Sequence, residues 1–285
     1  MATLVSPLPQ QRPLPGWRNT LHKALAMFWR DARLDFSYDI SFWIRWISIL
    51  TSVLAFYFIS KLISPSAQYG FGGKIATYFD FMVINLAFLR FQATAIQCFQ
   101  GAIRNDQMTG TLEVLIATPT SLPTIILSTG LWAFTLTLLQ AVATLGMGML
   151  LGSDLSHVNL TSALVFTLLT IACMSPIGVM SAASIMTFKQ AGPTGFVMSG
   201  LANLLGGGLF PVSVLPMYLQ YLSWTLPITH SLNGFRGAMH GGSLSQLAPD
   251  ALWLLVASAI MLPLSLWLFA RAVERAKIDG TLGQY

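Results

Sequence analysis

Long apolar runs, separated by short polar stretches, dominate the chain. A bilayer core of about 30 Å needs roughly 20 apolar residues for each spanning helix. Six runs reach this length, at residues 43–63, 78–103, 123–151, 160–188, 193–215 and 251–270. The pattern therefore predicts an all-α integral membrane protein with six transmembrane helices.

The composition excludes an ordinary soluble domain. Hydrophobic residues make up 54% of the chain and charged residues only 9%, whereas soluble domains carry about 25% charged residues. The two cysteines, Cys98 and Cys173, both fall inside apolar runs, so they predict neither a disulfide framework nor a metal site.

The segment before the first span has a helical pattern of its own. Leu21, Leu25, Phe28, Ala32 and Phe36 fall on one face of a helix, while Lys23, Arg30, Asp31 and Arg33 fall elsewhere. This amphipathic pattern predicts a helix at residues 17–40 that lies in the membrane interface. Packing against a protein partner is the alternative. Residues 1–16 are rich in proline and predict a disordered tail without the apolar core of a secretory signal.

The basic residues are distributed unequally between the two sides of the predicted spans. Eleven lie on the side of the two chain ends: Arg12, Arg18, Lys23, Arg30, Arg33, Arg45, Arg104, Lys189, Arg271, Arg275 and Lys277. Only Lys61, Lys74 and Arg236 lie on the other side. Basic residues concentrate on the cytoplasmic side of membrane proteins. We therefore predict a multi-pass plasma (inner) membrane protein with both termini, including the tail at 273–285, in the cytoplasm; the charge of +5 needs no nucleic acid.

The outer segment at residues 215–249 is half apolar and broken by proline and glycine. Non-helical backbone at membrane depth must be covered by protein, so the pattern predicts two short helices that dip into the outer leaflet. The three glycines before it predict a bend, which either forms a gate or only breaks span five. The residues of this gate or hairpin are Gly206, Gly207, Gly208, Pro211, Pro227, His230 and Arg236.

The connection between spans two and three carries a compact motif at residues 104–119. Gly110 can serve as an N-cap, Glu113 then stands at the third helical position, and Pro119 stops the helix after about two turns. The motif predicts a short cytoplasmic helix wedged between two spans. A merely structural, capped connector is the alternative.

This motif resembles a known family signature. Gly110-Thr111-Leu112-Glu113, with Leu115 and Ala117-Thr118-Pro119, is similar to the "GTLE-x-L-x-x-TP" element of type-2 ABC exporter permeases. The segment 226–236 also resembles the family's "NP-(L/I)-T" segment, although Leu226 replaces the usual asparagine. The resemblance implies that the short helix is a coupling helix that docks on an ATPase subunit. Its residues would be Arg104, Gly110, Thr111, Leu112, Glu113, Leu115, Thr118 and Pro119.

The resemblance implies the permease subunit of an ATP-driven exporter, with residues 41–272 as its six-helix transmembrane domain. The cargo would be apolar or amphipathic, such as a drug, a lipid or a lipid-linked glycan. The sequence contains no G-x-x-x-x-G-K-[ST] phosphate loop. We therefore expect no cofactor, catalytic residue or metal in this chain, which is not itself an enzyme. ATP and Mg would bind to a separate nucleotide-binding subunit, and the partners would be that subunit, a second permease chain (identical or paralogous) and membrane lipids.

Polar residues in the second span suggest a site inside the membrane. A stripe of aromatic and amide residues recurs at steps of three and four: Tyr78, Phe81, Asn85, Phe88, Gln92, Ala95 and Phe99. The stripe either lines a pathway for an amphiphilic cargo or packs against other helices through its amides. Both interpretations fit the sequence.

Arg90 lies close to the middle of the same span, on a different face. An arginine there costs at least roughly 2.5–3.5 kcal/mol and normally faces the bundle interior or water. No acidic residue of the same helix reaches it, so its partner must be another helix, a second subunit, a carbonyl group or an anionic group of the cargo.

Two other function classes compete with a permease. A secondary transporter or channel usually carries acidic residues inside its spans, and these spans hold almost none. An intramembrane enzyme needs catalytic groups at membrane depth, but none of the four histidines, His22, His157, His230 and His240, lies mid-membrane.

Overall fold

The computed structural model describes residues 16–37, 39–63, 69–71, 74–110, 122–188, 200 and 203–278. These residues are mainly helical, and their helices are α1 (Gly16–Ser37), α2 (Asp39–Leu62), α3 (Tyr78–Met108), α4 (Leu122–Leu150), α5 (Leu160–Phe188), α6 (Met217–Thr225), α7 (Pro227–Met239) and α8 (Ala248–Ile278). Between α2 and α3, strands β1 (Tyr69–Phe71) and β2 (Lys74–Ala76) pair antiparallel, with Tyr69 opposite Ala76.

Five helices of the described part are long and apolar enough to cross a membrane. The candidate spans are Trp43–Leu62, Tyr78–Asp106, Gly130–Leu150, Leu160–Ser184 and Ala248–Arg275. They coincide with predicted spans one to four and six and identify a multi-pass membrane protein.

The predicted fifth span, residues 193–215, lies mostly outside the described residues. Its end is described and is not helical throughout, because a turn at 206–208 and a short 3-10 helix at Val212–Val214 replace the α-helix. A count of six spans therefore stays a prediction.

Helix α3 lies at the centre of the bundle. Within its candidate span, 72% of the residues are buried inside the single chain, against 11% for α2 at the periphery. Helix α3 packs against α4 and α5, and α5 packs against α8 along much of its length. The residues of α3 therefore contact more of the fold than those of any peripheral helix.

Glycines allow two close approaches to α3. A Cβ atom at Gly178 of α5 would overlap the carbonyl oxygen of Ala95, and one at Gly148 of α4 would overlap the side chain of Val83. Small residues let neighbouring helices in a membrane come this close. Gly152, four residues after Gly148, lies instead in the turn after α4, with φ +99° and open space around it.

Two short helices, α6 and α7, occupy the half-apolar segment before α8. Pro227 stands in the first turn of α7, where its missing N–H costs nothing. Helix α7 is buried against α5 and α8, and a Cβ atom at Gly234 would collide with the ring of Phe166. Helix α6 lies outside it and exposes most of its large apolar side chains, Met217, Tyr218, Tyr221, Leu222 and Trp224.

Helix α1 packs partly on its own chain. Ala32 is buried, and Phe28 meets the Trp132 ring of α4 edge-on at 5.4 Å between centroids. Leu25 and Phe36, on the same predicted apolar face, remain more than half exposed. Part of the apolar face of α1 therefore packs against α4, and the rest is exposed on the surface of the protein.

Candidate functional site

A fully buried arginine joins three parts of the fold. Arg236 of α7 is only 1% exposed. Its Nε donates a hydrogen bond to Oδ1 of Asn85 in α3 at 2.7 Å, and its Nη2 donates to the carbonyl oxygen of Gly207. The guanidinium carbon lies 4.4 Å from the ring centroid of Phe81. These contacts tie α7 to α3 and to the glycine turn.

Asn85 completes this cluster. Its Nδ2 donates a hydrogen bond to the carbonyl oxygen of Gly208 at 2.9 Å. Gly207 has φ +80°, a backbone conformation that favours glycine. Because a buried charge is costly without hydrogen bonds, the amide and the carbonyl of Gly207 stabilise the guanidinium where it lies. We call Asn85, Gly207, Gly208 and Arg236 the arginine cluster.

Of the gate and hairpin residues predicted from the sequence, Gly207, Gly208 and Arg236 belong to this cluster, whereas Pro227 and His230 lie nearer the start of α7. Gly206, Gly207 and Gly208 are buried in the turn, and Pro211 directly precedes the 3-10 helix. The sequence placed Asn85 in a pathway and Arg236 in a hairpin, without pairing them. The two residues are 151 positions apart, and the sequence pattern contains no signal that links them.

His230 forms a second junction between the outer helices. Its Nδ1 lies 2.6 Å from Oδ1 of Asp250 in α8, and its Nε2 lies 2.8 Å from the carbonyl oxygen of Trp224 in α6. The imidazole also stacks on the ring of Trp253, with centroids 4.5 Å apart. Both oxygens are acceptors, so both ring nitrogens donate when the imidazole is protonated. The hydrogen bond with Asp250 accordingly raises the pKa of His230 above 6.5.

The aromatic and amide stripe of α3 is buried in helix packing. Phe81, Phe88 and Phe99 are each at most 5% exposed, and the Phe88 ring packs on Phe235 of α7 with centroids 5.1 Å apart. Gln92 is also buried. Of the two interpretations drawn from the sequence, helix packing describes this conformation. The assignment of the stripe to a pathway stays a prediction.

Arg90 remains without a hydrogen-bonding partner in the part of the chain that the structure describes. Its side chain is half-buried, and its Nε is buried with no acceptor among those residues. The described spans thus provide none of the partners that the sequence required.

A polar junction binds α1 to the bundle at the opposite end of α3. Asp35 of α1 accepts two hydrogen bonds from Arg45 of α2, at 2.6 and 3.0 Å, and one from Nε1 of Trp132 in α4 at 2.8 Å. Burial tends to raise the pKa of Asp35, but the hydrogen bonds from Arg45 and Trp132 outweigh it and hold the pKa below 3.8. The sequence offered one clue, because Asp35 lies seven residues after Phe28 on the same helical face.

A cavity of about 810 Å³ opens beside this junction. Helices α1 and α3 and the first half of α4 form its walls, with Arg45 of α2 at its edge. Its polar lining consists of Arg30, Asp31, Asp35, Arg45, Gln97, Asn105, Asp106, Thr109 and Trp132. The cavity reaches Thr109, the residue before Gly110, and so borders the predicted coupling segment.

The predicted coupling residues are described only in part. Arg104 is exposed on the last turns of α3, which continues to Met108, beyond the predicted end at residue 103. Gly110 follows with φ +70°, typical of a residue that ends a helix. Thr111, Leu112, Glu113, Leu115, Thr118 and Pro119 lie outside the described residues, and their coupling role stays a prediction.

Comparison with known proteins identifies the family. The sequence model of the ABC-2 type transporter family matches residues 23–240, from α1 through α7. A comparison with curated proteins finds no match. The family match covers most of the chain, includes the segment between α3 and α4, and agrees with the several spanning helices. The chain therefore belongs to the ABC-2 type transporter family, whose membrane permeases work with an ATP-binding subunit.

Proposed function

We propose that the chain is the permease subunit of an ATP-driven exporter, which moves an apolar or amphipathic cargo out of the cytoplasm or the inner leaflet. The family match supports a permease, and the absence of a phosphate loop from the sequence supports the proposal that ATP binds to a separate subunit. Two permease chains, identical or paralogous, assemble around the pathway, with all termini in the cytoplasm.

The observation that carries this proposal is the position of the two helix ends that flank the predicted coupling segment. The chain leaves α3 at Gly110 beside the cavity and returns as α4 at Leu122. Ten residues further along α4, Trp132 bonds to Asp35 and thereby joins α1 and α2 to the same end of the bundle. A push on residues 110–119 therefore acts on α3, α4 and α1 together.

Helix α3 also links this end to the outer helices. Its Asn85 contacts Arg236 of α7 and the carbonyl oxygen of Gly208. A displacement of α3 by the ATPase subunit would therefore disturb the arginine cluster and the turn beside it. We propose that this disturbance opens the outer gate, with residues 206–208 as its bending point.

Arg90 is the residue in α3 best placed to meet a group from outside the chain. Its Nε has no acceptor among the described residues, and an unpaired guanidinium at membrane depth is costly. An anionic group of the cargo or an acceptor on the second permease chain would satisfy it. Aromatic residues of the α3 stripe would join the pathway only in a conformation that separates α3 from α5 and α7.

The acidic residues at the other end of α3 argue against a transporter coupled to protons or sodium. Asp80 accepts hydrogen bonds from Thr77, from the Ser153 hydroxyl at 2.6 Å and from the backbone N–H of Asp154 at 3.1 Å. Through these hydrogen bonds, the Asp80 carboxylate connects α3 to the loop after α4. Asp250 is likewise paired with His230. Both carboxylates lie at helix ends, away from the middle of a span.

The proposal is tested with the permease and its ATPase subunit reconstituted in proteoliposomes. We expect Glu113→Ala to reduce ATP-dependent transport while ATP hydrolysis continues, because the coupling helix no longer transmits the movement. Glu274→Ala is the matched control, since it removes an exposed glutamate from the end of α8. Undiminished transport by the Glu113 variant would refute the coupling assignment. Transport that needs an ion gradient but no ATP would support the secondary transporter instead.

A further inference from the structure

A small cleft opens between α5 and α8 near the C-terminal ends of both helices. Its volume is about 270 Å³. One wall consists of Met180, Ala183 and Ser184 of α5, and the other of Trp267, Leu268, Arg271, Ala272 and Arg275 of α8. The cleft lining thus combines apolar side chains with those of two arginines.

The two arginines are arranged as a pair. Arg271 and Arg275 are four residues apart, so they lie one above the other on the same helical face. Trp267 lies one turn earlier on that face, and the guanidinium carbon of Arg271 lies 4.0 Å from its ring centroid. The aromatic ring holds the guanidinium by a cation–π contact.

Nothing in the described part of the chain neutralises these charges. No acidic residue lines the cleft, and neither arginine forms an ion pair with a described carboxylate. Glu274 lies next to Arg275 in the sequence but is exposed and outside the cleft lining. Two positive charges therefore face the cleft and attract an anion.

The cleft lies near the ends of the candidate spans of α5 and α8. The candidate span of α8 finishes at Arg275, and Trp267 is half exposed near that boundary. Tryptophan and arginine at such a boundary are typical of the level of lipid headgroups. An occupant of the cleft therefore has an anionic head at the arginines and an apolar part against Met180 and Leu268.

We propose that this cleft binds the phosphate headgroup of an anionic phospholipid from the leaflet at the C-terminal end of α8. Basic pockets between transmembrane helices select such headgroups, and guanidinium groups bind phosphate oxygens in a bidentate manner. The bound lipid contacts both walls and fastens α5 to α8. This lipid site is separate from the arginine cluster and does not depend on the direction of transport.

The test uses native mass spectrometry on the full chain, purified in detergent with its ATP-binding subunit. Phosphatidylglycerol and phosphatidylcholine with identical acyl chains are titrated separately. We expect the wild-type complex to prefer phosphatidylglycerol, and the R271Q/R275Q variant to bind it roughly thirtyfold more weakly. Binding of phosphatidylcholine should be the same in both proteins.

The R33Q/K61Q variant is the matched control, because it removes two exposed basic residues elsewhere in the chain. It should retain the affinity for phosphatidylglycerol. R271K/R275K keeps the charges but loses bidentate geometry, and we expect an intermediate affinity, which also tests the site if the glutamine variant fails to fold.

Three results would overturn the proposal. The first is equal binding of the two lipids by the wild-type complex. The second is an equal loss of phosphatidylglycerol binding in the control and in R271Q/R275Q, which would indicate general surface charge. The third is displacement of phosphatidylglycerol by inorganic phosphate at about its own concentration, which would identify a site for free phosphate.

Discussion

Oδ1 of Asn85 accepts a hydrogen bond from Nε of Arg236 at 2.7 Å, between α3 and a helix 151 residues further along the chain. The same amide donates to Gly208. The Asn85 side chain thus hydrogen-bonds both the Arg236 guanidinium of α7 and the carbonyl oxygen of Gly208. The stability of this region depends on an amide at position 85.

Asn85→Ala should destabilise the protein by about 1–3 kcal/mol, because it removes an acceptor from a buried charge. Thermal unfolding in detergent measures the loss. Asn105→Ala, which removes an exposed amide from the same helix, is the control and should be close to neutral. Asn85→Asp should recover part of the loss, since a carboxylate pairs with Arg236. Equal effects of the two alanine variants would contradict a special role for Asn85.

Gly234→Ala should also destabilise, by about 1–3 kcal/mol, because the added methyl group enters the space of the Phe166 ring. Phe166→Leu in the same chain should reduce this cost. Gly146→Ala is the control, since a Cβ atom there meets nothing within 4 Å, and helical alanine is favoured over glycine. Unfolding temperatures of the two single variants and the double variant measure the coupling. Additive effects would show that the ring is not the obstacle.

The His230 junction should make stability depend on pH. Because the folded pKa of His230 is raised above 6.5, its contribution is fully present below 6.5 and is lost as pH rises through the folded pKa. Asp250 is the charged group that acts on His230 among the described residues of α3, α5, α6, α7 and α8. Thermal unfolding measured from below pH 6.5 upward should therefore show a loss that His230→Gln abolishes.

His157→Gln provides the control for this pH dependence, because His157 is exposed in the loop between α4 and α5. It should leave the pH profile unchanged. Asp250→Asn should flatten the profile as His230→Gln does, since it removes the charge that stabilises the imidazolium. A profile that survives the His230 and Asp250 substitutions would exclude this junction as its source.

Asp35→Asn should loosen α1 from α2 and α4. The neutral amide loses the charge-assisted pair with Arg45, and we expect a cost of about 1–2 kcal/mol after screening by solvent. In proteoliposomes, transport should fall more than ATP hydrolysis, because the movement of α4 no longer carries α1 with it. Asp31→Asn is the matched control, since among the described residues Asp31 forms its ion pair with the neighbouring, exposed Arg30. Equal transport by both variants would argue against the junction.

The sequence predicts the described spans well because lipid offers no hydrogen bonds to the backbone. An apolar segment in the membrane therefore forms a helix, which pairs its own N–H and C=O groups. The five described spans begin within a few residues of their predicted limits. The ends of α3 and α8 are the exceptions, since α8 also continues past residue 270 to Ile278. The apolar run stops at residue 103, but the helix continues through the exposed Arg104 and Asn105 to Met108. Hydropathy marks the membrane boundary and carries no information about where a helix ends beyond it.

The contacts that form the sites were harder to predict. An amide and a phenylalanine at helical spacing fit a pathway and a packed interface equally well, and only the positions of α5 and α7 show that Asn85 and Phe88 are packed. Gly110 illustrates a second limit. Glycine suits both the start and the end of a helix, and its φ of +70° shows that it follows the end of α3.

The central position of α3 has a mechanical consequence. Its 31 residues contain no proline and extend about 46 Å at 1.5 Å per residue. Its neighbour α5 contains Pro176, and α8 contains Pro263, where proline weakens the helical hydrogen bonds. The bundle thus places one stiff lever beside helices that can bend. A small tilt of α3 at its Gly110 end would therefore move its Asp80 end as a rigid rod would. The neighbouring helices α5 and α8 would bend at Pro176 and Pro263.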